Sequence, residues 1–434
     1  VIGGSSAAPA TPWQNALASA LMFVPFGQTG DLDPRRNLPG EAALNWWQFV
    51  PFAAGTALAL WRVRNPAYST LLVGLAGLLL PGIFSEYAPH FHRILGAAAP
   101  VALLCGVGLD ALVHWGLAQA PPHVNGRAHR WPLWAAGVLA GAIVLCGGVV
   151  AARDYFVRWA ALPDLFYAFD TGLWQVGQEL ARRPSGNVTY LTPRAADHPT
   201  LAFALAAASQ AASGSGTGPA PPISFDGRQV FPLTAGPNAE VENYIVIQTE
   251  DFRTRLLLPE VLPQATIAET ITEPDGTVYA NLYTRPPGSL PARPPEHAIA
   301  AELNDAISLS GYDIQPATLH PGDILYLQLH WLVNAATEED WTVFTHLLRR
   351  AEKEDGSSSE SFVQVAGSDG PPGGGSLPTS RWQPGWRVLD EYQIQLPGDL
   401  APGTYTLAAG LYRADGTRLP ADGPGILLGD VVIE

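Results

Sequence analysis

The sequence predicts a multidomain protein: a polytopic α-helical membrane bundle, then a small α/β domain, then an antiparallel β-sandwich. Three observations carry this reading. Residues 1–152 hold four apolar runs of the length that crosses a bilayer. Residues 153–285 alternate strand-like with helix-like segments. After a proline-rich linker at 286–297, residues 298–434 read as short alternating strands separated by turn signals.

The helical part comes first. A hydrocarbon core roughly 30 Å thick takes about 20 helical residues, and a helix satisfies its own backbone there. Ala42 to Trp61 is uncharged between Glu41 and Arg62, and Asn65 to Ser85 is uncharged between Arg64 and Glu86. Ile94 to Leu117 is interrupted by Asp110 and His114; Trp131 to Ala152 is uncharged between Arg130 and Arg153. Trp13 to Phe26 reads as the end of a fifth span. Trp46, Trp47, Trp61, Trp131 and Trp134 sit near run ends, where indole rings favour the headgroup region. Val1 is not a start residue, and the one methionine, Met22, lies inside an apolar stretch, so the natural N-terminus is expected upstream.

Alternation of spans puts the links 62–66 and 116–130 on one side, with Arg62, Arg64, Arg127 and Arg130. The links Gly27 to Glu41 and Ser85 to Arg93 fall on the other, with Arg35, Arg36 and Arg93. The more basic side is expected in the cytoplasm, which places the C-terminal tail outside it. The outward links carry four of the five acidic side chains of this half, together with His90 and His92, as a reaction chamber facing outward would.

Beyond Arg153 the texture changes. Phe166 to Arg182 reads as an amphipathic helix, Asn187 to Thr192 as a strand and Leu201 to Ala208 as a helix. Asn243 to Gln248 (NYIVIQ) is an apolar strand, followed by a short helix near Leu256 to Leu262 and a strand pair turning at Pro274-Asp275-Gly276. Ala211 to Pro222 is a Gly/Ala/Ser/Pro-rich loop. Past the linker, the expected strands are Ile324 to Trp331, Trp341 to Leu348, Glu391 to Leu396, Tyr405 to Tyr412 and Ile426 to Ile433. Turns at Pro321-Gly322-Asp323, Pro402-Gly403 and Asp415-Gly416 separate them.

Charge narrows the partners. Of 24 basic and 39 acidic residues, seven and five lie in 1–152, leaving 17 and 34 in 153–434, a net charge near −17. So acidic a tail argues against nucleic acid, because phosphate backbones select basic faces. Cys105 and Cys146 both lie in apolar runs, so the tail has no cysteine for a disulfide and depends on its core. This is ordinary for bacterial envelope proteins, and the expected location is a bacterial plasma membrane.

Several segments carry a family likeness: GDLDPRRNLPG at Gly30 to Gly40, SEYAPHFHRILGA at Ser85 to Ala97 and YFVRWA at Tyr155 to Ala160. Others are WTVFTHLL at Trp341 to Leu348, and the stretch Ser368 to Pro420 with SDGPPGGGSLPTSRWQPG and PGTYTLAAGLYRADGTRLP. Together they resemble the C-terminal part of a glycosyltransferase family 39-type membrane enzyme, of the GT-C superfamily. The resemblance implies a sugar donor carried on polyprenyl phosphate and inverting transfer to an extracytoplasmic acceptor, whether protein, lipid or glycan. It also implies that the general base lies in the first outward loop of the family, upstream of Val1, so that no catalytic residue is assigned here and the fragment alone is expected to be inactive.

The outward links can supply the other half of such chemistry. Developing charge on a departing lipid phosphate is stabilised by cationic donors, and the arginine fork grips phosphate oxygens bidentately. Arg36 and Arg93, with Arg35, are the candidate donors, His90 a hydrogen-bond donor, and Glu86 a group to orient Arg93 or the acceptor. The bland alternative is that these charges only meet lipid headgroups. Asp31-Leu32-Asp33 reads as a turn before Pro34 rather than a metal-binding pair of aspartates. His90 and His92 lack further ligands for a tetrahedral zinc site, and neither metal nor cofactor is expected. In the tail, Trp382 and Trp386 either stack on sugars or plug the sandwich, while His330 and His346 are expected on a wet face. The rival readings are a non-catalytic membrane-anchored surface protein with a carbohydrate- or protein-binding sandwich, and a transporter subunit.

Overall fold

Side-chain caps decide where the N-terminal helices begin. The computed structural model describes residues 11–119, 123–124, 127–128, 131–184, 186–211, 220–351, 361–421 and 423–434. It divides into two units, Val1–Phe169 and Asp170–Glu434.

In the first unit, Thr11 and Gln14 form a reciprocal capping box at the start of α1 (Pro12–Leu21). The expected fifth-span end is therefore a ten-residue helix, roughly 15 Å long, that starts at its own cap. Asn45 and Gln48 make the same box for α2 (Trp46–Trp61), which cuts the run Ala42 to Trp61 to 16 helical residues. Asn65 caps α3 (Pro66–Ile83). A 3-10 segment, Phe91–Ala97, leads into α4 (Ala98–Ala118). The two-residue strands β1 (His123–Val124) and β2 (Arg127–Ala128) pair antiparallel; Arg130 and part of the link 116–130 lie outside the described residues. α5 (Trp131–Arg153) runs on as a π-helical turn, Asp154–Trp159, and α6 (Leu165–Ala168) closes the unit.

Among the described residues, three helical stretches are long and apolar enough to cross a membrane: Pro66–Ile83, Phe91–Ala118 and Trp134–Trp159. The predicted fourth, α2, falls short in length. It packs instead backbone to backbone on α4. A Cβ at Gly55 would lie 1.9 Å from the Leu104 carbonyl oxygen, and one at Gly108 would lie 1.8 Å from that of Pro51. Only glycine permits this approach. Phe23, Phe52, Ile94, Val101 and Leu104 fill the core around it.

The second unit is sheet-rich. It opens with α7 (Thr171–Arg182), separated from α6 by Asp170 in the left-handed conformation (φ 49°), so the expected single helix Phe166 to Arg182 is broken there. β3 (Val188–Thr192), α8 (Pro199–Ala211), β4 (Ile223–Ser224), β5 (Val230–Thr234), β6 (Glu242–Ile247), α9 (Phe252–Val261), β7 (Thr266–Thr272) and β8 (Val278–Arg285) follow. Residues 212–219 of the predicted glycine-rich loop lie outside the described residues. The remaining strands are β9 (His297–Glu302), β10 (Ile307–Gln315), β11 (Ile324–Val333), β12 (Thr342–Ala351), β13 (Ser361–Gly370), β14 (Trp386–Gln395), β15 (Gly403–Tyr412), β16 (Arg418–Leu419) and β17 (Ile426–Ile433).

One mixed sheet has the order β4-β3-β6-β8-β7, with β3 parallel to both β4 and β6. Two antiparallel sheets have the orders β5-β14-β11-β10-β9 and β13-β12-β15-β16, with β17 also on β15. β5 comes from the stretch before the proline-rich linker, yet it pairs with β14, with Val230 opposite Asp390. A single apolar core runs from Tyr190, Phe231 and Tyr244 to Trp331, Trp386 and Leu407. The linker at 286–297 therefore does not divide this unit, because strand pairing and core packing cross it. The first boundary also moves, from 152 to Phe169, since α5 and its π-turn belong with the helices.

Asp390 is buried without remaining exposure under a glycine turn. The Gly373 N–H donates to its Oδ1 at 3.1 Å and the Tyr392 hydroxyl to its Oδ2 at 2.7 Å. Trp382 and Trp386 are both buried, so they plug the core and offer no exposed stacking surface. His330 departs from the wet face expected of it: it is 1 % exposed, its Nε2 lying 3.1 Å from Asp313 and 3.2 Å from Gln328. Those two polar partners meet Nε2, while Nδ1 is buried with no hydrogen-bond partner among the described residues.

Candidate functional site on the helical unit

Asp31 ties the two predicted outward links together. Its side chain is buried, and its Oδ2 accepts the Phe91 N–H at 2.9 Å while Oδ1 accepts that of Asp33 at 3.0 Å. Backbone bonds from Gly30 N–H to Gly40 (3.1 Å) and from Gly40 N–H to Asp31 (2.9 Å) close the first link into a loop. Gly30 is obligatory there, since a Cβ would sit 1.7 Å from the Glu41 carbonyl oxygen. The second link is held from below: Asn15 donates to the carbonyls of Ile83 (3.0 Å) and Ser85 (2.8 Å).

Arg36 lies between two carboxylates, 3.0 Å from Asp31 and 2.9 Å from Asp33, with 8 % of its side chain exposed. Its guanidinium also sits 5.4 Å from the centre of the Tyr87 ring, which stacks on His90 at 5.3 Å. Arg35 grips Asp33 at 2.6 Å. The hydrogen bond from Arg35, followed in effect by its backbone N–H and the charges of both arginines, outweighs burial and holds the Asp33 carboxyl down at about 2. His90 is buried, and burial, then the positive charges of Arg36 and Arg93, push its imidazole below the usual histidine range. It is neutral at pH 7, and its Nδ1 has no hydrogen-bond partner among the described residues.

Of the sequence-predicted residues, the fold therefore brings Arg36 and His90 into one cluster. Glu86 and Arg93 are exposed beside it, and no ion pair engages either among the described residues. Sequence reasoning missed Asp31 and Tyr87 as members. The Asp31-Leu32-Asp33 turn is present, but its first carboxylate is turned inward to fix Arg36 and the Phe91 amide. Trp159 was also missed; its indole N–H donates to the Pro34 carbonyl at 2.7 Å, and Arg158 pairs with Glu41 at 3.0 Å. The π-turn at the end of α5 thus buttresses the first link. Among the described residues, no group of three histidine, cysteine or acidic side chains is placed to hold a metal.

Beside the cluster lies a groove of about 590 Å³. Met22, Phe23, Leu44, Ile94, Leu95 and Val101 give it apolar walls, while Arg36, Asn37, Gln48 and His92 supply polar groups. An apolar trough meeting a polar, amide-bearing end can take an amphiphile with a polar head.

No protein-family model matches this chain, and no curated protein matches it. Among solved structures it is similar to the alkylpurine DNA glycosylase AlkC of Pseudomonas fluorescens, bound to DNA containing an abasic-site analogue. The identity is 10 %, with 98 % of this chain and 82 % of that chain covered, at a TM-score of 0.17. A likeness that low carries no argument about fold or function.

Proposed function

We propose that this protein is a multi-pass membrane glycosyltransferase of the family 39 type, moving a sugar from a polyprenyl-phosphate donor to an acceptor outside the cytoplasm. The observation that supports this best is the groove: a wall of six large apolar side chains leads to Arg36 and His92. A polyprenyl chain suits the wall, and its polar head suits the other end, where Asn37 and Gln48 supply amides beside Arg36. The positive charge of Arg36 is already matched by Asp31 and Asp33, so Arg36 shapes the end of the groove, and exposed Arg93 takes the main part in meeting developing phosphate charge. Neutral His90 serves as a hydrogen-bond donor, and Glu86 orients Arg93 or the acceptor. The general base is assigned to no residue of this chain. In this reading the three long apolar helices lie in a bacterial plasma membrane, and the antiparallel sheets form a sandwich on its outer side.

The test is transfer of sugar from a radiolabelled polyprenyl-phosphate donor by the full-length protein in liposomes. Arg93→Ala is expected to lower turnover at least tenfold while leaving membrane insertion intact. Unchanged turnover removes Arg93 from the site, and no transfer by the unsubstituted protein defeats the transferase reading.

A further inference from the structure

The sheet-rich unit holds a second, unrelated cleft, of about 450 Å³, between α9 and one face of the strands β10, β11 and β14. Register places six side chains on that face in two rows. Asp313, Gln328 and Glu391 are cross-strand neighbours in one, and Gln315, Tyr326 and Gln393 in the other. The alternate residues, such as Leu325, Leu327 and Ile394, point into the core.

The first row is a fixed polar floor. Arg253 of α9 donates to Glu391 (2.8 Å), to Gln328 Oε1 (2.8 Å) and to the Gly227 carbonyl (3.0 Å). Gln328 in turn donates to Asp313 at 3.0 Å, and Asp313 accepts the Glu296 N–H at 2.7 Å. Each of these groups is already oriented, so a ligand has no need to order them.

The second row is unspent. Gln315 and Gln393 are exposed, Tyr326 is 40 % exposed, and none of their side-chain polar groups has a partner among the described residues. Phe252, 63 % exposed, adds an aromatic ring from α9.

Charge decides the class of ligand. Each arginine on the lining already has a carboxylate: Arg228 with Asp226 and Arg253 with Glu391, both at 2.8 Å, and Arg293 with Glu260. The lining itself holds three arginines against three carboxylates, Glu260, Asp313 and Glu391, so it is neutral overall and gives little to a phosphate, a polyanion or a basic peptide. Two free amides offer donors and acceptors in pairs, matching vicinal hydroxyls. Exposed rings present flat apolar faces, matching the C–H face of a pyranose. We propose that this cleft binds a neutral saccharide, with Tyr326 and Phe252 as stacking surfaces and Gln315 and Gln393 as hydroxyl partners. Binding needs no donor lipid, so the proposal stands whether or not the protein is a transferase.

The test uses the full chain in nanodiscs, which bring no sugar of their own. Manno-, gluco-, galacto- and xylo-oligosaccharides are titrated by calorimetry, with a sulfated oligosaccharide as the charged control. At least one neutral probe is expected to bind saturably, with an affinity insensitive to salt. The pair Phe252→Ala and Tyr326→Ala should weaken it by roughly tenfold or more, as should the pair Gln315→Ala and Gln393→Ala. All four positions are exposed, and an unchanged unfolding midpoint in each double variant verifies that the fold survives. The proposal is overturned if no neutral probe binds, if both double variants bind as well as the parent, or if the sulfated probe is preferred.

Discussion

Asp390→Asn should make the protein more stable at neutral pH than at acid pH, relative to the parent. Burial, partly offset by the bonds from Tyr392 and from the Gly373 N–H, pushes the Asp390 carboxyl up from 3.8 to about 6. A carboxyl whose folded-state value is raised stays protonated in the fold while the unfolded chain has already released its proton. Its contribution is therefore full below about 3.8, falls as pH rises to about 6, and is constant above. The shift of about 2.2 corresponds to about 3 kcal/mol lost across that window, at 1.36 kcal/mol for each pH unit. Asparagine keeps an oxygen for the Gly373 N–H, while its amide donates to the Tyr392 hydroxyl, which can still donate to the Gly370 carbonyl at 3.2 Å; it cannot ionise, so whatever its amide costs is the same at every pH. Urea unfolding of the chain in detergent, followed by tryptophan fluorescence, reads this through Trp331, Trp382 and Trp386, which are all buried in the same core. The stability difference between variant and parent should move by about 2 kcal/mol in favour of the variant between pH 4, where the unfolded carboxyl is already more than half ionised, and about pH 6.5. Parallel profiles, differing by less than about 0.5 kcal/mol in slope across the window, would refute the reasoning.

Two further outcomes concern the helical unit. Gly108→Leu should separate α2 from α4 and cost about 3 kcal/mol or more, because the new side chain meets backbone at Pro51. Gly106→Leu on the same helix, with open space around it, should stay within about 0.5 kcal/mol of the parent; equal thermal midpoints for the two variants would contradict the close packing. Asp31→Asn weakens a buried ion pair and the tie to Phe91, at a cost of about 3 kcal/mol, moderated by Asp33, which remains beside Arg36. Limited proteolysis should then cut the 27–41 loop faster, and an unaltered cleavage rate there would argue that Asp31 is not the pin.

The parts of the fold governed by local pattern were legible. Apolar runs marked α3, α4 and α5, and alternation marked β11, β12, β15 and β17 to within a few residues. What escaped depends on distant partners. β5 contains Pro232, which reads against a strand, and it exists because β14 offers it one hydrogen-bonding edge. The length of α2 is set by Asn45 and Gln48, a polar pair inside what reads as a continuous span. At the candidate site, the arginines and His90 stood out by residue type, but the inward turn of Asp31 did not, because its partners Arg36 and Phe91 come from two links. The second cleft was invisible for the same reason. β10, which supplies Asp313 and Gln315, was not recognised as a strand, and Arg253 lies in a helix read only approximately.

The pairing of β5 with β14 also bears on how the chain is made and cut. During synthesis Val230–Thr234 emerges well before Trp386–Gln395 exists, so the sheet is completed late, by a long loop closure of the kind that slows folding. A protease that severs the proline-rich linker would not free the C-terminal strands, because hydrogen bonds between Leu233 and Arg387 and their neighbours span the cut. A gene truncated to begin at residue 298 would instead yield a sheet with the flank of β14 bare, an edge prone to recruit the same strand from another copy.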